Sequence, residues 1–273
     1  MAVAPGLVRV NSLLVMFCRI NNMVPINFDH SYTEDIKHKF FKALGRAGFR
    51  LSEHQVAHPG KHSCRFIMFE RVAGRMAYLE FVDVGRGGKS VNKPGISLRC
   101  SGPLKQYFAG VNKQKGVAAK YLHRNYDWKS DAKSKLPGWN FMTFSRPRFK
   151  NIYPWFTEYE PRPGVKRLPV PIHPNTAQSI SGVVLSMREQ DKLGLEKVFG
   201  RRLTGKLINL GGIRLFIEPA KTTKISALVV KCKNLALFMR VARIKSPVIW
   251  QGKEAVVIRN PDNRMWDIIV VGR

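Results

Sequence analysis

The sequence predicts an α+β fold in which four repeated units form cupped β-sheets with helices packed against them. Two observations lead to this prediction. The order strand, helix, strands occurs four times along the 273 residues, at intervals of roughly 40 to 70 residues. Hydrophobic residues make up 44% of the chain, which suits the sizeable core that such sheets require. At about 150 residues per domain, the length fits two lobes.

The first unit has the clearest pattern. Residues 27–32 form a strand-like run that carries His30. A helix is predicted over residues 35–49, because apolar side chains recur there at helical spacing while lysines and arginines take the other face. Thr33 is the candidate N-cap of this helix, and Gly48 is its candidate left-handed C-cap.

The other elements follow from apolar and β-branched runs bounded by glycine, proline and polar residues. The first unit continues with a polar loop at 52–62 and strands at 65–69 and 78–84, joined by a turn near 73–74. The second has a strand at 95–100, a helix at 103–109, a basic loop-rich insertion at 112–137, and strands at 140–144 and 155–159. The third has a strand at 180–185, a helix at 189–199 and a hairpin of 206–209 with 213–218. The fourth has a strand at 225–231, a helix at 235–244, and strands at 254–258 and 267–271.

These elements divide the chain into two lobes. Residues 23–160 form the first lobe and residues 177–273 the second, with a proline-rich, extended linker over 161–176. Residues 1–22 are expected to be a disordered or non-native extension. A signal peptide is the alternative, although the apolar run before Arg19 is short and no clear cleavage site follows it.

The net charge of +29 predicts attraction to anions such as nucleic acid, anionic lipid or acidic metabolites. A generally basic proteome would produce the same charge without a polyanionic partner. No apolar run reaches the roughly 18 to 20 residues that span a bilayer, so no membrane partner is expected. The four cysteines are scattered and lack zinc-type spacing, which indicates a reducing compartment, most simply the cytoplasm.

Two strands carry the main candidate site residues. His30 and Glu80 sit among apolar and aromatic neighbours, where burial would perturb their pKa values and favour acid–base chemistry or metal binding. Alternate residues of a strand share a face, so both side chains can point into one cup. The structural alternative is a hydrogen-bonded pair inside the cup. Both residues are therefore candidate metal ligands, with Glu80 also a candidate catalytic residue and His30 a candidate ligand-binding residue.

Further candidates surround this pair. Glu158 is the candidate second catalytic carboxylate, on a strand that also offers Trp155 for ligand binding, and its alternative is a solvent-facing edge position. His58 is a candidate acid–base group, and His62 a candidate ligand contact at the cup mouth; both could instead organise the turn between them. Arg65 is the candidate cation for an anionic ligand.

Two segments show patterns associated with nucleotide or nucleic-acid binding, but each pattern is incomplete. Residues 85–90 resemble a phosphate loop, but Asp83 stands where the Walker pattern demands glycine, and Pro94 prevents a helix from starting directly afterwards. Residues 105–150 interleave basic and aromatic side chains, as single-strand nucleic-acid binding proteins do. No recognised DNA or RNA motif accompanies them, and aromatic residues that line the cup would give the same pattern. Nucleic acid is therefore not the expected partner.

Several short segments together carry a family resemblance. They are Phe28-Asp29-His30, His58-Pro59-Gly60, Tyr78-Leu79-Glu80-Phe81, the run from Tyr153 to Tyr159, His173-Pro174-Asn175, and Ser181-Gly182-Val183-Val184. Over about residues 25–272 the chain resembles the vicinal-oxygen-chelate superfamily, and more narrowly its glyoxalase-like domain proteins. This superfamily includes glyoxalase I, the extradiol dioxygenases and bleomycin-resistance proteins.

The resemblance implies four βαβββ modules that pair into cupped mixed β-sheets with flanking helices. It also implies ligands from the first and last strands of paired modules, which maps a divalent metal onto His30 and Glu80. The partners would come from near Ser97 and near Glu158, and serine is not a usual ligand. The C-terminal half has no histidine on the equivalent strands, so a dioxygenase site of two histidines and one carboxylate is not expected there.

The resulting expectation is a small-molecule enzyme or binder that uses the cup of modules one and two. The positive charge favours an anionic ligand, and the family favours one that contains a carbonyl group. The alternatives are a non-catalytic, ligand-sequestering protein and a nucleic-acid-associated basic protein. A homodimer and the module pairing remain open, because modules swap between subunits in this superfamily.

Overall fold

The computed structural model describes residues 26–53, 55–58, 62–72, 75–90, 92–124, 138–160 and 170–273. The predicted extension at 1–22, the turn at 73–74 and most of the predicted linker lie outside these ranges. The lobe boundaries therefore stay a prediction. The described residues form two mixed sheets with helices packed against them, which confirms the predicted α+β class.

The first sheet contains eight strands from two modules. Module one consists of β1 (Ile26–Glu34), α1 (Lys39–Arg46), β2 (Val56–His58), β3 (His62–Val72) and β4 (Arg75–Val84). Module two consists of β5 (Gly95–Cys100), α2 (Leu104–Val111), β6 (Ala118–Arg124), β7 (Trp139–Arg146) and β8 (Tyr153–Tyr159). The strand order is β2-β3-β4-β1-β5-β8-β7-β6. The modules join where β1 and β5 pair antiparallel, while β1–β4 and β5–β8 pair in parallel.

The second sheet contains seven strands in the order β10-β11-β9-β12-β15-β14-β13. Module three consists of β9 (Ala177–Met187), α3 (Glu189–Phe199), β10 (Leu207–Leu210) and β11 (Ile213–Pro219). Module four consists of β12 (Lys224–Cys232), α4 (Leu235–Ala242), β13 (Val248–Trp250), β14 (Lys253–Ile258) and β15 (Asp267–Gly272). Module three thus has one strand fewer than the βαβββ pattern.

The two sheets share one hydrophobic core. Alternation along each strand sends one set of side chains to this core and the other set to the opposite face of the sheet. Trp266 of the second lobe is fully buried against Phe40 and Phe81 of the first, with ring centroids 6.1 and 5.8 Å away. Its Nε1–H donates to the backbone oxygen of Tyr32 at 3.0 Å. The lobes therefore pack as one unit around their helix-bearing faces.

Helix α1 is shorter than predicted and has a different cap. Residues Ile36–His38 form a 3₁₀ turn before it. The carboxylate of Asp35 accepts hydrogen bonds from the amides of Phe40 and Phe41 at 2.8 and 2.7 Å. Thr33 does not cap the helix, because its hydroxyl donates to the backbone oxygen of Glu34 at 3.3 Å. The predicted left-handed residue is confirmed, with Gly48 at φ +82°.

Three strands lie where loops were expected. Strand β6 lies inside the predicted basic insertion, β2 inside the predicted polar loop, and β13 beyond the fourth helix. The charged side chains of β6 hide its apolar pattern, while β2 and β13 have three residues each, too few to show a period. Within the described residues, no helix combines the length and the apolar character needed to cross a membrane.

Candidate functional site

The candidate site lies on the face of the first sheet opposite α1 and α2, which we call the first cup. His30 in β1 lies beside Tyr78 of β4 on one side and Ser97 of β5 on the other. Two residues further on, Tyr32 lies beside Glu80. Because alternate residues share a face, these pairs all point into the first cup.

A β-bulge in β1 adds an unpredicted residue to this face. Phe28 pairs with Leu98 and His30 with Ser97, so Asp29 has no partner in β5. Such an extra residue lets two consecutive side chains reach one side of a sheet. Asp29 is 1% exposed, and its Oδ2 accepts a hydrogen bond from His30 Nδ1 at 2.7 Å.

Two further side chains hold Asp29 in place. Arg99 Nε lies 2.8 Å from Asp29 Oδ1, an ion pair buried on both sides. The hydroxyl of Tyr159 donates to Asp29 Oδ2 at 3.0 Å, and the Tyr78 and Tyr159 hydroxyls are 2.8 Å apart. The charge of the Asp29 carboxylate is thus compensated by Arg99, and both of its oxygens have protein partners. Asp29 therefore fixes the orientation of His30 instead of facing a ligand.

The second nitrogen of His30 faces Glu80. Nε2 of His30 and Oε2 of Glu80 are 3.4 Å apart. The imidazole stacks on the ring of Tyr78 with centroids 4.2 Å apart, and Trp155 meets it edge-on at 5.1 Å. The side chain of Glu80 is 15% exposed against 5% for His30, so Glu80 is the more accessible member of the pair.

The local environment sets the protonation of the cluster formed by Asp29, His30, Tyr78, Glu80, Arg99 and Tyr159, which we call the polar cluster. Burial alone lowers the pKa of His30, but hydrogen bonds and charge from Asp29 and Glu80 outweigh it and raise the pKa above 6.5. Burial also raises the pKa of both tyrosines well above 10, so their hydroxyls stay protonated. The polar cluster therefore favours the protonated form of His30 more than water does.

A glycine shapes the floor beside the polar cluster. Gly95 begins β5 and lies opposite Tyr32 and Tyr153 of the neighbouring strands. A Cβ atom at this position would overlap the rings of Tyr32 and Trp155. Only glycine permits this approach, which brings the two rings to a centroid distance of 5.5 Å.

Comparison with solved structures identifies the fold. A hypothetical protein from Staphylococcus aureus superposes with a TM-score of 0.57 at 12% identity, covering 91% of this chain and 99% of its own. The Mn(II)-bound glyoxalase from Novosphingobium aromaticivorans gives 0.52 at 10% identity, covering 91% and 82%. An extradiol ring-cleaving dioxygenase from B. fuscum gives 0.50 at 12% identity, covering 92% and 72%.

The chain has the vicinal-oxygen-chelate fold. No protein-family model matches the sequence, and no curated protein does. Sequence identities of 10 to 12% are evidence for a shared fold alone. The chemistry of the site therefore has to be argued from its side chains.

The expected vicinal-oxygen-chelate metal centre does not fit the donors present. The module-two positions that face His30 and Glu80 across the first cup are Ser97 and Thr157, whose hydroxyls lie 2.8 Å apart and bond to each other. In the described part of the chain, no three histidine, cysteine or acidic side chains come together as a metal site. His30 and Glu80 alone supply fewer ligands than a divalent metal takes in proteins.

Glu158 does not join Glu80. Along β8, Trp155, Thr157 and Tyr159 point into the first cup, whereas Glu158 points to the helix side. There its Oε1 accepts the backbone N–H of Leu104, the first residue of α2, at 3.0 Å. Strand alternation separates Glu158 from the first cup, so the structure does not bring it together with Glu80 as the paired carboxylate that was expected.

The remaining predicted residues divide between the two faces of the sheet. Trp155 lies in the first cup, where its ring meets that of His30 edge-on. Arg65 lies on the helix side, with its guanidinium 5.8 Å from the centre of the Phe41 ring, so it does not line the first cup. His62 Nε2 donates to the backbone oxygen of Lys89 at 2.9 Å, a contact that organises a loop. The side chain of His58 lies outside the described residues.

Sequence reasoning missed Asp29, Tyr78, Arg99 and Tyr159. Tyr78 and Tyr159 share strands with Glu80 and Trp155 at two- and four-residue spacing, so the strand period could have placed both in the first cup. Asp29 could not be placed in this way, because regular alternation puts it opposite His30. Its position depends on the bulge, for which the sequence of β1 has no glycine or other marker.

Proposed function

We propose that this protein binds a small carbonyl-containing anion in the first cup and transfers a proton at the carbon next to the carbonyl, without a metal. The observation that carries the proposal is the His30 imidazole held between Asp29 at 2.7 Å and Glu80 at 3.4 Å. Paired titratable groups in unlike environments support acid–base roles. The vicinal-oxygen-chelate fold supports small-molecule binding in general.

The two members of the pair have different roles. Glu80 is the more accessible carboxylate and would accept the proton from carbon, leaving the electron pair of the C–H bond on the carbonyl as an enolate. The protonated form of His30 would lie next to that carboxylate and offset the developing negative charge. Asp29 acts only through His30, by orienting the ring and favouring its protonated form. The net charge of +29 supports attraction of an anionic substrate.

Deuterium exchange tests the proposal without a known substrate. Pyruvate, a small anionic ketone, is incubated with the protein in D₂O, and loss of its methyl proton signal is followed by NMR. We expect exchange above the buffer rate, and a loss of about a hundredfold or more in Glu80→Gln, the usual contribution of a positioned base. Glu158→Gln is the matched control, because that side chain points to the other face of the same sheet and the amide still accepts a hydrogen bond.

Whether the reaction needs a metal is tested by a separate measurement. Dialysis against EDTA should leave the exchange rate unchanged, and metal analysis should find no stoichiometric divalent ion. Exchange that disappears with EDTA and returns with Mn²⁺ would contradict the metal-independent mechanism.

The second candidate is a non-catalytic, ligand-sequestering protein. The bonded Ser97 and Thr157 hydroxyls favour it, because these two positions offer neither a histidine nor a carboxylate to a ligand in the first cup. Pyruvate binding with no exchange above the buffer rate would support this candidate and overturn the catalytic one.

A further inference from the structure

A second cavity lies on the cup side of the other sheet, which we call the second cup. It has a volume of about 460 Å³, within the range of small-molecule sites. Its floor is apolar and comes from four strands, with Val184, Ala227, Val257 and Ile269 among its members. Trp250 forms one wall and packs edge-on against Phe216, with centroids 4.8 Å apart. A flat apolar group fits such a lining.

One buried polar group points to a ligand with a hydrogen-bond acceptor. Asn260 lines the cavity and is 8% exposed. Its Oδ1 accepts from the backbone N–H of Asp262 at 3.0 Å, which fixes the orientation of the amide. Its Nδ2 is buried and has no acceptor within the described residues. Since an unsatisfied buried donor is costly, a ligand that supplies an acceptor there gains affinity.

The charges at the rim favour an uncharged ligand. Two carboxylates, Glu218 and Asp267, and two cations, Lys224 and Arg259, line the cavity, so their formal charges balance. Arg259 Nη1 lies 2.5 Å from Asp267 Oδ2, so its charge is already compensated. Among the described residues that line the cavity there is no histidine or cysteine, and hence no acid–base or soft metal-ligating group of those types.

We propose that the second cup is a binding site for an uncharged, ring-sized molecule whose carbonyl oxygen accepts a hydrogen bond from Asn260 Nδ2. This site is separate from the polar cluster and goes beyond the function proposed for the first cup. It has a ligand of different chemistry, since the first cup offers the His30 imidazole between two carboxylates and the second offers a neutral amide.

Three probe molecules of similar size separate the contributions of shape, hydrogen bonding and charge to binding in the second cup. Acetophenone has a ring and a carbonyl, α-methylstyrene has the same shape without an acceptor, and benzoate has a full negative charge. Titrations followed by protein-observed ¹⁵N NMR should give acetophenone an affinity about tenfold higher than α-methylstyrene, the worth of one buried hydrogen bond. Benzoate should bind more weakly than acetophenone. Equal affinities for the first two probes, or tighter binding of benzoate, would overturn the proposal.

Variants locate the site. Asn260→Asp keeps an oxygen for the Asp262 amide but removes the donor, so the tenfold preference should vanish. Val257→Trp should fill the cavity and abolish acetophenone binding, whereas Ile249→Trp on the exposed neighbouring strand should not. His30→Gln should leave acetophenone binding intact, which separates this site from the first cup.

The NMR shifts of the unmodified chain give a readout that does not depend on whether a variant folds. Acetophenone should shift the side-chain amide of Asn260 and the backbone amides around Trp250. Shifts confined to β1, β4 and β8, or a Val257→Trp protein that folds and binds acetophenone normally, would show that the second cup is not the site.

Discussion

At the scale of single residues, the polar cluster shows how one side chain controls another. Asp29 contributes no proton to a ligand in the proposed reaction, yet it shifts the protonation equilibrium of His30 toward the charged form. Burial favours the neutral imidazole, and the two neighbouring carboxylates reverse that preference. The acid–base behaviour of the first cup thus depends on a residue that a ligand does not need to touch.

Asp29→Asn should lower the pKa of His30, because it removes the nearer of the two carboxylates while preserving the shape of the side chain. The measurement is a histidine titration followed by ¹⁵N NMR. Asp191→Asn, at an exposed ion pair with Arg188, is the control and should leave His30 unaffected. An unchanged or raised pKa in Asp29→Asn would contradict the orienting role of Asp29.

His173 should make stability depend on pH. Its Nδ1 accepts the Arg50 amide at 2.9 Å and its Nε2 donates to Met68 O at 3.0 Å, so the buried ring is held neutral and its pKa is lowered to about 4. The unfolded chain protonates first as the pH falls. Stability present above pH 6.5 is therefore lost between pH 6.5 and 4, by about 3 kcal/mol in total.

Urea unfolding at pH 7.5 and pH 4.5 measures this effect. His173→Gln offers the same acceptor and donor but does not titrate, so its free energy of unfolding should fall less over that interval. An equal fall in both proteins would assign the acid sensitivity to other groups.

At the scale of elements, the two faces of one strand have separate tasks. Strand β8 presents Trp155 and Tyr159 to the first cup, and Glu158 to the start of α2. The same seven residues therefore build part of the site and anchor a helix. A carboxylate at a helix N-terminus also interacts favourably with the helix dipole.

Glu158→Ala should destabilise the protein by about 1 kcal/mol, the usual cost of losing a helix cap. Glu160→Ala is the matched control two residues away, where an exposed carboxylate lies 3.6 Å from His123 Nδ1, and it should change stability by less than about 0.5 kcal/mol. Urea denaturation midpoints measure both changes. Equal effects would show that the contact with Leu104 does not stabilise α2.

The same strand illustrates what sequence can and cannot predict. Periodic apolar runs placed most strands, and α3 was predicted with its observed bounds and its terminal Gly200. The strand period alone does not say which face looks inward, so Glu158 and Arg65 were assigned to the wrong side. Strand β6 was missed because its charged residues masked the alternation. Asp29 depended on a local irregularity that leaves no trace in composition.

At the scale of the whole molecule, Trp266 connects the two lobes by packing and by a hydrogen bond. It is buried in the shared core and bonded to the backbone of β1, the strand that carries Asp29 and His30. Its own loop also supplies Asn260 to the second cup, and the next residue, Asp267 at the start of β15, lines the same cavity. The geometry of the first cup therefore depends on a residue from the other lobe.

Trp266→Ala should cost about 3 to 5 kcal/mol, the range for removing a large buried aromatic side chain. The wild-type chain should unfold in one cooperative urea transition, because both sheets contribute to one core. The variant should show separate transitions when far-UV circular dichroism and the NMR signal of His30 are compared. Coincident transitions in the variant would indicate that other contacts suffice to couple the lobes.

The bulge in β1 has a consequence for sequence change in this protein. A substitution at Asp29 alters charge but leaves the strand in place, whereas deleting one residue between Phe28 and His30 removes the bulge itself. The pairs Phe28–Leu98 and His30–Ser97 would then follow each other in regular alternation, so Ile26 and Phe28 would stay on the core side and His30 would stay in the first cup. The loss would be the Asp29 carboxylate itself. A one-residue deletion elsewhere in β1 would instead turn the residues on one side of it to the opposite face. Relatives that share the orienting carboxylate should therefore share the extra residue, whereas relatives without the bulge should keep the core and lack the carboxylate.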